Sequence, residues 1–480
     1  MGLHCHNVRN HHATHHDKKA HAMKCSKSQA RSKARALPEV RIANGALTAL
    51  GGLVVFQAHF LSLELKARLQ GCLAHLQNSK SYSQGVLYLL LVYHLLIGYR
   101  NIRDIDCYRH DPMILQALGL KQLPDVSTVC RLLKEADPRA VENLRGLLRE
   151  LLFARLESMG PARITLDFDG SVISTTRRAE GTAVGYNKRK KGARSYYPLF
   201  CTVAQSGQVL DFLHRAGNVH DSRGAREFIL ACVSAVRDAL PGTLVEVRMD
   251  SAFFSDTLVT ALDKAEVEFT ISVPFERFPK LKGMIEARQR WQPLHGDTSF
   301  FESAWKPEAW TKRYRFLFIR TRTKKQQKGE IQLDLFEPYE YGYEFKVVVT
   351  NKDVSARAVV EFHEGRGAQE GVFAELKTHA AMGHVPVRKR SGNQLYMLAG
   401  IFAHNLARDM QMQSIPPARR TNARRTPLWI FERLDTLRRN FIHRAGRFIR
   451  PQGKRTLQLS LGAKLKAPFL ALFTRIQSAA

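Results

Sequence analysis

The chain of 480 residues is 44% hydrophobic, which is enough for two or three globular domains with sizeable cores. Its 74 Lys and Arg residues exceed its 43 Asp and Glu residues, and the resulting net charge of +31 predicts a polyanionic partner, with nucleic acid as the default. The seven cysteines include no Cys-x-x-Cys pair, and the longest apolar run, residues 86–98, is interrupted by His94. We therefore expect reduced thiols, no disulfide framework or zinc site, no membrane partner and a cytoplasmic location.

Residues 1–40 are rich in histidine and lack the apolar core of a signal peptide. Such a segment could scavenge metal ions, but we interpret it as a disordered leader. Its histidines are His4, His6, His11, His12, His15, His16 and His21.

Residues 41–158 are predicted to be mainly helical, because apolar residues recur there at three- and four-residue spacing. Within this region, residues 111–134 read as a short helix, a turn from Gly119 to Pro124, and a second helix that carries Arg131 and Lys134. This pattern is typical of a helix-turn-helix that places its second helix in a DNA major groove. Two packed helices of an ordinary bundle would give the same pattern.

From residue 159 the periodicity changes to that of strands and helices in alternation. Residues 163–171 alternate as a strand that places Asp167 and Asp169 on one face, and residues 243–251 form a later strand that ends in Asp250. In an α/β fold, ligands bind beyond the carboxyl ends of such strands. An Asp-Gly turn at a solvated edge is the alternative interpretation of Asp169.

The remainder divides by composition. Residues 159–274 and 343–412 are interpreted as two parts of one α/β domain, interrupted at 275–342 by a β-rich insertion with three tryptophans that could stack on nucleic acid. Residues 413–480 are dense in Arg and Lys and are interpreted as a basic tail.

A charged helix is predicted around residue 370. On a continuous helix, His363, Arg366, Glu370 and Lys377 fall within about 60° of one another. One carboxylate between a guanidinium and an ammonium suits a metal-dependent phosphodiester site, with the acid on the ion and the cations on phosphate. A solvated helix face is the alternative.

These motifs together resemble the DDE-type transposases of bacterial insertion sequences. The resemblance rests on Asp169 followed by Gly170 and Ser171, on Asp250 followed by Ser251, and on a third motif. One branch of the superfamily spaces Tyr, Arg, Glu and Lys as His363, Arg366, Glu370 and Lys377 are spaced here, with His in place of Tyr. The resemblance implies a ribonuclease-H-like catalytic domain with a β-rich insertion, preceded by a helical DNA-binding region.

The resemblance also implies roles for individual residues. Asp169, Asp250 and Glu370 would hold two Mg²⁺ or Mn²⁺ ions, with Asp167 as the alternative first acid. DNA phosphates would be bound by the cations named above: Arg366, Lys377, His363, Arg131 and Lys134.

The implied function is a transposase that cuts the ends of an insertion sequence and joins them to target DNA. Its partners would be double-stranded terminal inverted repeats and target DNA, bound by at least a homodimer in the bacterial nucleoid. Two alternatives remain open at this point: a ribonuclease-H-fold nuclease or resolvase without strand transfer, and a catalytically idle DNA-binding repressor.

Overall fold

A computed structural model describes residues 37–38, 46–77, 81–185, 187, 190–323, 342–420 and 423–478. Almost all of the predicted leader therefore lies outside the described residues. Among the described residues, no single helix is long and apolar enough to cross a membrane; the pair Gln84–Ile97 and Ile102–Tyr108 meets the test only together, and it is bent by 80°.

The amino-terminal region is mainly helical. After a short strand, β1 (Leu47–Thr48), it contains α1 (Leu53–Ser62), α2 (Leu65–Cys72), α3 (Gln84–Ile97), α4 (Pro112–Leu118), α5 (Val126–Glu135) and α6 (Pro138–Met159). Side-chain caps fix several starts: the Asp111 carboxylate accepts from the Met113 amide at 2.8 Å, and the Asp137 carboxylate accepts from the Ala140 amide at 2.7 Å. Prolines at the first helical position support both starts.

The central region contains most of the strands and the helices that cover them. Its strands are β2 (Arg163–Gly170), β3 (Ile173–Thr175), β4 (Ala183–Val184), β5 (Arg194–Tyr196), β6 (Leu199–Val203), β7 (Gln208–Leu213), β8 (Leu244–Met249), β9 (Glu268–Val273), β10 (Gln292–His295), β11 (Thr298–Trp305), β12 (Tyr314–Arg322) and β13 (Tyr343–Thr350). Its helices are α7 (Ala225–Ala239), α8 (Asp256–Lys264), α9 (Pro279–Glu286), α10 (Ala356–Glu364), α11 (Ala368–His379) and α12 (Arg390–Ser414).

Nine of these strands form one sheet in the order β10-β11-β12-β13-β9-β8-β2-β6-β7. Strand β8 is parallel to both β2 and β9, whereas the other neighbours are antiparallel. The prediction of a mixed α/β protein is therefore confirmed. The parallel centre matters for function because it brings the carboxyl ends of β2 and β8 to the same edge.

The two faces of β2 and β8 differ in chemistry. Leu166, Phe168 and Met249 point into an apolar core that includes residues of α7 and α8. On the other face, Thr165 lies opposite Glu246 and Asp167 lies opposite Arg248. This polar face is covered by α10, whose Phe362 carbonyl oxygen accepts a hydrogen bond from Arg248 at 2.8 Å.

The strands in the described part of the predicted β-rich insertion at 275–342 lie in the same sheet as the strands that carry the acids. Strands β11 and β12 pair with each other, β12 pairs with β13, and β13 pairs with β9, so the segment extends the central sheet. Trp305 and Trp310 are buried in the same apolar core as Phe269. These two tryptophans therefore serve packing, because their rings are not exposed to nucleic acid.

The segment interpreted as a basic tail, residues 413–480, folds against the rest of the chain in its described part. It contains α13 (Leu434–Leu437), β14 (Gly446–Ile449), β15 (Thr456–Leu459) and α14 (Ala463–Ser478). Strands β14 and β15 form a small sheet with β1. Phe469 and Ile476 of α14 are buried in one core with α1, α3 and α12, since hydrophobic burial outweighs the high density of charge in this segment.

One buried arginine connects these parts. Arg248 is fully buried and donates to both carboxylate oxygens of Asp167, at 2.6 and 2.7 Å. It also donates to the carbonyl oxygens of Arg424 at 2.6 Å and Arg425 at 3.0 Å. The guanidinium thus ties β8 to β2, to α10 and to the carboxyl-terminal region.

Replacing Arg248 with Ala should lower the free energy of unfolding by about 3–5 kcal/mol, because the substitution leaves the buried Asp167 carboxylate unpaired. Denaturant unfolding followed by circular dichroism measures the change. Arg357→Ala is the matched control: Arg357 forms an exposed ion pair with Glu361 at 3.0 Å, and its loss should cost less than about 1 kcal/mol. Equal losses in the two variants would contradict the central role of Arg248.

Candidate active site

Two acids meet where β2 and β8 end. Phe168 and Met249 are paired in the parallel register, so Asp169 and Asp250 follow side by side at the same edge of the sheet. Each carboxylate is oriented by a local backbone amide: Asp169 accepts from the Gly170 amide at 2.7 Å, and Asp250 accepts from the Ala252 amide at 3.0 Å. The predicted first and second acids are therefore brought together.

Both acids have raised pKa values. Burial, and then the neighbouring Asp250 carboxylate, raise the pKa of Asp169 to about 7. Burial also raises the pKa of Asp250, although the Arg366 guanidinium acts in the opposite direction. A pair of carboxylates with raised pKa values at a strand edge is a typical property of a functional site.

Arg366 is the cation that faces this pair. Its Nη1 lies 3.7 Å from Oδ2 of Asp169. Arg366 lies in a single 3₁₀ turn, Gly365–Gly367, between α10 and α11. A Cβ atom at Gly365 would lie only 1.6 Å from the Arg424 carbonyl oxygen and 2.2 Å from Nη1 of Arg248, so this turn can pack against both residues only because residue 365 is glycine.

Asp167 is placed differently from Asp169. Its side chain is 2% exposed and both of its oxygens accept hydrogen bonds from Arg248. Asp169 retains 24% exposure. The geometry therefore favours Asp169 over Asp167 as the first acid.

The predicted common face around residue 370 is interrupted by the 3₁₀ turn, because the rotation per residue changes there. His363 lies in α10 and is buried, with its ring nitrogens 2.8 Å from the Ser272 hydroxyl and 2.9 Å from the Thr270 hydroxyl. A phosphate contact by His363 would require an exposure that this position lacks. Burial holds the pKa of His363 well below its usual value, so the ring is neutral.

Beyond the turn, α11 directs a neutral residue at the sheet. Gln369 is buried, and its amide nitrogen donates to the Asp167 carbonyl oxygen at 2.9 Å. Glu370 and Lys377 are exposed on this helix. Among the described residues, Glu370 forms no ion pair, so its carboxylate stays oriented to solvent near the turn that holds Arg366.

Sequence analysis did not identify Asp221, which lies in the loop between β7 and α7. Its charge raises the pKa of both Asp169 and Asp250. Burial, and then the charge of Asp221, raise the pKa of Tyr197. No spacing rule in the sequence connects a loop Asp to strand ends, and only a search for acids near the folded site finds it.

Arg131 and Lys134 lie on α5, outside the strands that carry these acids. Val129, Leu132 and Leu133 of this helix are buried, whereas Arg131 and Lys134 are both exposed. Their position leaves them accessible to a phosphate backbone.

The donor set suits a hard divalent cation. Asp169 and Asp250 offer carboxylate oxygens, the ligands that Mg²⁺ and Mn²⁺ prefer, and a cation between them would relieve their mutual repulsion. In the part of the chain that the structure describes, no three His, Cys, Asp or Glu side chains are arranged together to hold a metal ion. The residues therefore fit such an ion as a pair of acids, with a third ligand still to be supplied.

A family model described as transposase DDE domain group 1 matches residues 33–480. The chain belongs to this family. The prediction of a DDE transposase is thereby confirmed at the level of the family, which implies a metal-dependent enzyme that cuts DNA. No curated protein matches the sequence.

Solved structures of other transposases share low similarity with this transposase. The piggyBac transposase in a synaptic complex with hairpin DNA has 12% identity and a TM-score of 0.39, over 75% of this chain and 73% of that chain. The Mos1 transposase paired-end complex with a left transposon end has 12% identity and a TM-score of 0.18, over 41% of this chain and 60% of that chain. The family assignment rests on the sequence match.

Gly170→Ala should disturb the transposase site directly. The added Cβ would lie 2.5 Å from the Tyr197 hydroxyl and 2.9 Å from an Asp221 oxygen, so both side chains must move. We expect a loss of about 1–3 kcal/mol in unfolding free energy. Thermal unfolding, compared with Gly146→Ala, checks this: Gly146 lies inside α6 with nothing within 4 Å of its Cβ position, and its substitution should stabilise by about 0.5–1 kcal/mol. A stable Gly170→Ala variant would contradict the close packing at the strand end.

Proposed function

We propose that this transposase cuts DNA at the terminal inverted repeats of an insertion sequence and joins the freed ends to target DNA. The observation that carries the proposal is the pairing of Asp169 and Asp250 at the ends of adjacent parallel strands, in a chain of the DDE family. The parallel centre of the sheet, with α7 and α8 on one face and α10 on the other, is compatible with a ribonuclease-H-like catalytic domain.

Asp169 and Asp250 are proposed to hold divalent metal, with Glu370 as the third acid. Two Mg²⁺ or Mn²⁺ ions bound there would activate the attacking oxygen and stabilise the leaving oxygen of a phosphodiester. Glu370 is proposed for this role because it is exposed on the first turn of α11, next to the turn that places Arg366 at Asp169. Its free carboxylate has no competing ion pair among the described residues.

Arg366 is proposed to orient a DNA phosphate beside the two acids. Its guanidinium already lies 3.7 Å from Asp169, and a planar guanidinium can bind a phosphate through two parallel hydrogen bonds. Lys377, exposed on α11, would contact a phosphate further along the DNA backbone. A direct phosphate contact by His363 is not proposed, because its ring is buried between hydroxyl groups.

The net charge of +31 supports DNA as the polyanion that the sequence predicts. The helical region with Arg131 and Lys134 is proposed to contact the terminal repeats, and two copies of the chain would be needed to hold two ends. A nuclease that cuts without joining would use the same acids. The idle repressor is disfavoured because Asp169 and Asp250 are both present and adjacent.

Asp169→Asn and Asp250→Asn should each lower metal-dependent cleavage of repeat-bearing DNA by about a hundredfold or more, because each removes a carboxylate that holds metal. Glu370→Gln should do the same while DNA binding persists. Cleavage is measured on a labelled fragment with Mg²⁺ or Mn²⁺ and again with EDTA. Asp238→Asn, which changes an exposed acid on α7, serves as the control of equal charge.

The outcomes separate the candidate functions. Cleavage followed by joining to a target plasmid supports the transposase, whereas cleavage without joining supports the nuclease. Binding to the repeats with no cutting under any metal supports the repressor. Undiminished cleavage by Glu370→Gln would remove that residue from the site.

Replacing Arg131 and Lys134 together with Ala should weaken DNA binding at low salt and lower the dependence of binding on salt. If each contacts one phosphate, the slope of log affinity against log salt falls by about two. Fluorescence anisotropy at several salt concentrations measures this slope. Lys264→Ala with Lys280→Ala removes the same charge from exposed positions outside the helical region, and an equal change in that variant would contradict a specific role for α5.

A further inference from the structure

A third carboxylate, that of Asp221, lies next to the two strand-end acids. Gly170, which directly follows Asp169, has no side chain, and the space beside it is filled by Tyr197 and Asp221. A Cβ atom built on Gly170 would be 2.9 Å from Oδ1 of Asp221 and 2.5 Å from the Tyr197 hydroxyl. The Asp221 carboxylate therefore packs against the backbone of the residue that follows the first acid.

Arg215 fixes the loop that carries Asp221. Its Nη1 donates to the Asp221 carbonyl oxygen at 2.8 Å, and its Nη2 lies 3.5 Å from Oδ1 of the same residue. Its Nε donates to the Tyr197 carbonyl oxygen at 3.1 Å, and its guanidinium lies 5.3 Å from the centre of the Tyr197 ring. Since Arg215 is itself buried, these contacts hold the loop in one position relative to Tyr197.

Tyr197 lies beside Asp221, because both side chains fill the space next to Gly170. Burial and then the charge of Asp221 raise the pKa of Tyr197, so its phenol remains a donor. The Asp221 side chain keeps 19% exposure, which leaves part of the carboxylate facing solvent. A carboxylate held by an arginine, packed beside a tyrosine and still partly exposed near the acid pair is available for an electrostatic role as well as a structural one.

We propose that Asp221 is a further acid of this site, whose fixed negative charge increases the affinity of the Asp169 and Asp250 pair for a divalent cation. Asp221 acts as a positioning residue through its electrostatic field at the two acids. Tyr197 and Arg215 hold its carboxylate in position. The inference rests on the proposed function, since it concerns the cation that this function requires. The site would then include a residue of the loop between β7 and α7, in addition to the residues at the strand ends and near α11.

The competing explanation is that Asp221 only closes its own loop by accepting from Arg215. A loop-closing role would change stability without changing cation affinity. Direct cation binding therefore distinguishes the two roles, and it does so without measuring catalysis.

The experiment measures Mn²⁺ binding to the full-length, DNA-free protein by electron paramagnetic resonance, up to millimolar Mn²⁺. Asp221→Asn should weaken binding by about tenfold, since it removes one unit charge within a few ångströms of a divalent ion. Asp238→Asn removes the same charge from an exposed position on α7 and should change binding by less than about twofold. Equal affinity in the two variants would overturn the proposal, as would the absence of Mn²⁺ binding by the wild type.

Tyr197→Phe gives a second measurement that keeps the ring against Arg215. Without the hydroxyl, the Asp221 carboxylate loses a polar neighbour in the space beside Gly170, so Mn²⁺ binding should weaken, and the double variant should bind as Asp221→Asn alone does. Additive losses in the double variant would show that Tyr197 does not act through Asp221. This variant also decides the matter if Asp221→Asn does not fold.

The proposal and the function fail in distinguishable ways. Cleavage of the repeats by the wild type, together with unchanged Mn²⁺ affinity in Asp221→Asn, would leave the function standing and remove Asp221. Weakened Mn²⁺ binding in Asp221→Asn with no cleavage by the wild type would support the charge effect and remove the function.

Discussion

The ion pair between Arg248 and Asp167 is the interaction on which the site depends. Both side chains are buried, and removing two charges from water is costly unless each is fully hydrogen-bonded. Arg248 meets this condition by donating to Asp167 and to the carbonyl oxygens of Phe362, Arg424 and Arg425. Segments far apart in sequence are therefore held to the polar face of one strand pair, and the turn with Arg366 is placed at the strand ends.

Charged side chains form successive rows along the polar face of β2 and β8, and the rows differ in how their charges are balanced. At one end, Glu246 accepts from Thr165 at 2.6 Å and pairs with Lys352 at 2.8 Å, and these partners lower its pKa even though burial alone would raise it. In the middle, Asp167 is matched by Arg248. At the other end two acids, Asp169 and Asp250, face each other. The first two rows are internally neutralised, whereas in the third two acids with raised pKa values share one facing guanidinium, that of Arg366, and such an imbalance is typical of functional sites.

The amino-terminal helices and the carboxyl-terminal region form one body with α12. Their buried residues belong to a single apolar core, which also includes Phe200 and Phe212 of the central sheet. The helix α5, which is proposed to contact DNA, is thus connected through this core to the strands that carry the acids. This continuity is relevant to a transposase, since recognition of an end and cleavage of that end must occur in a fixed spatial relation.

The sequence by itself determined the α/β class and placed acids at the ends of two strands, because strand alternation is a local pattern. It also located Arg366, although by a helical phase that the 3₁₀ turn at Gly365–Gly367 interrupts, and for that reason it misjudged the setting of His363. Only the tertiary structure decided between Asp167 and Asp169, since the choice depends on Arg248 from another strand. The tertiary structure alone brought Asp221 to the site, because its position depends on contacts with Tyr197 and Arg215 that no local spacing encodes.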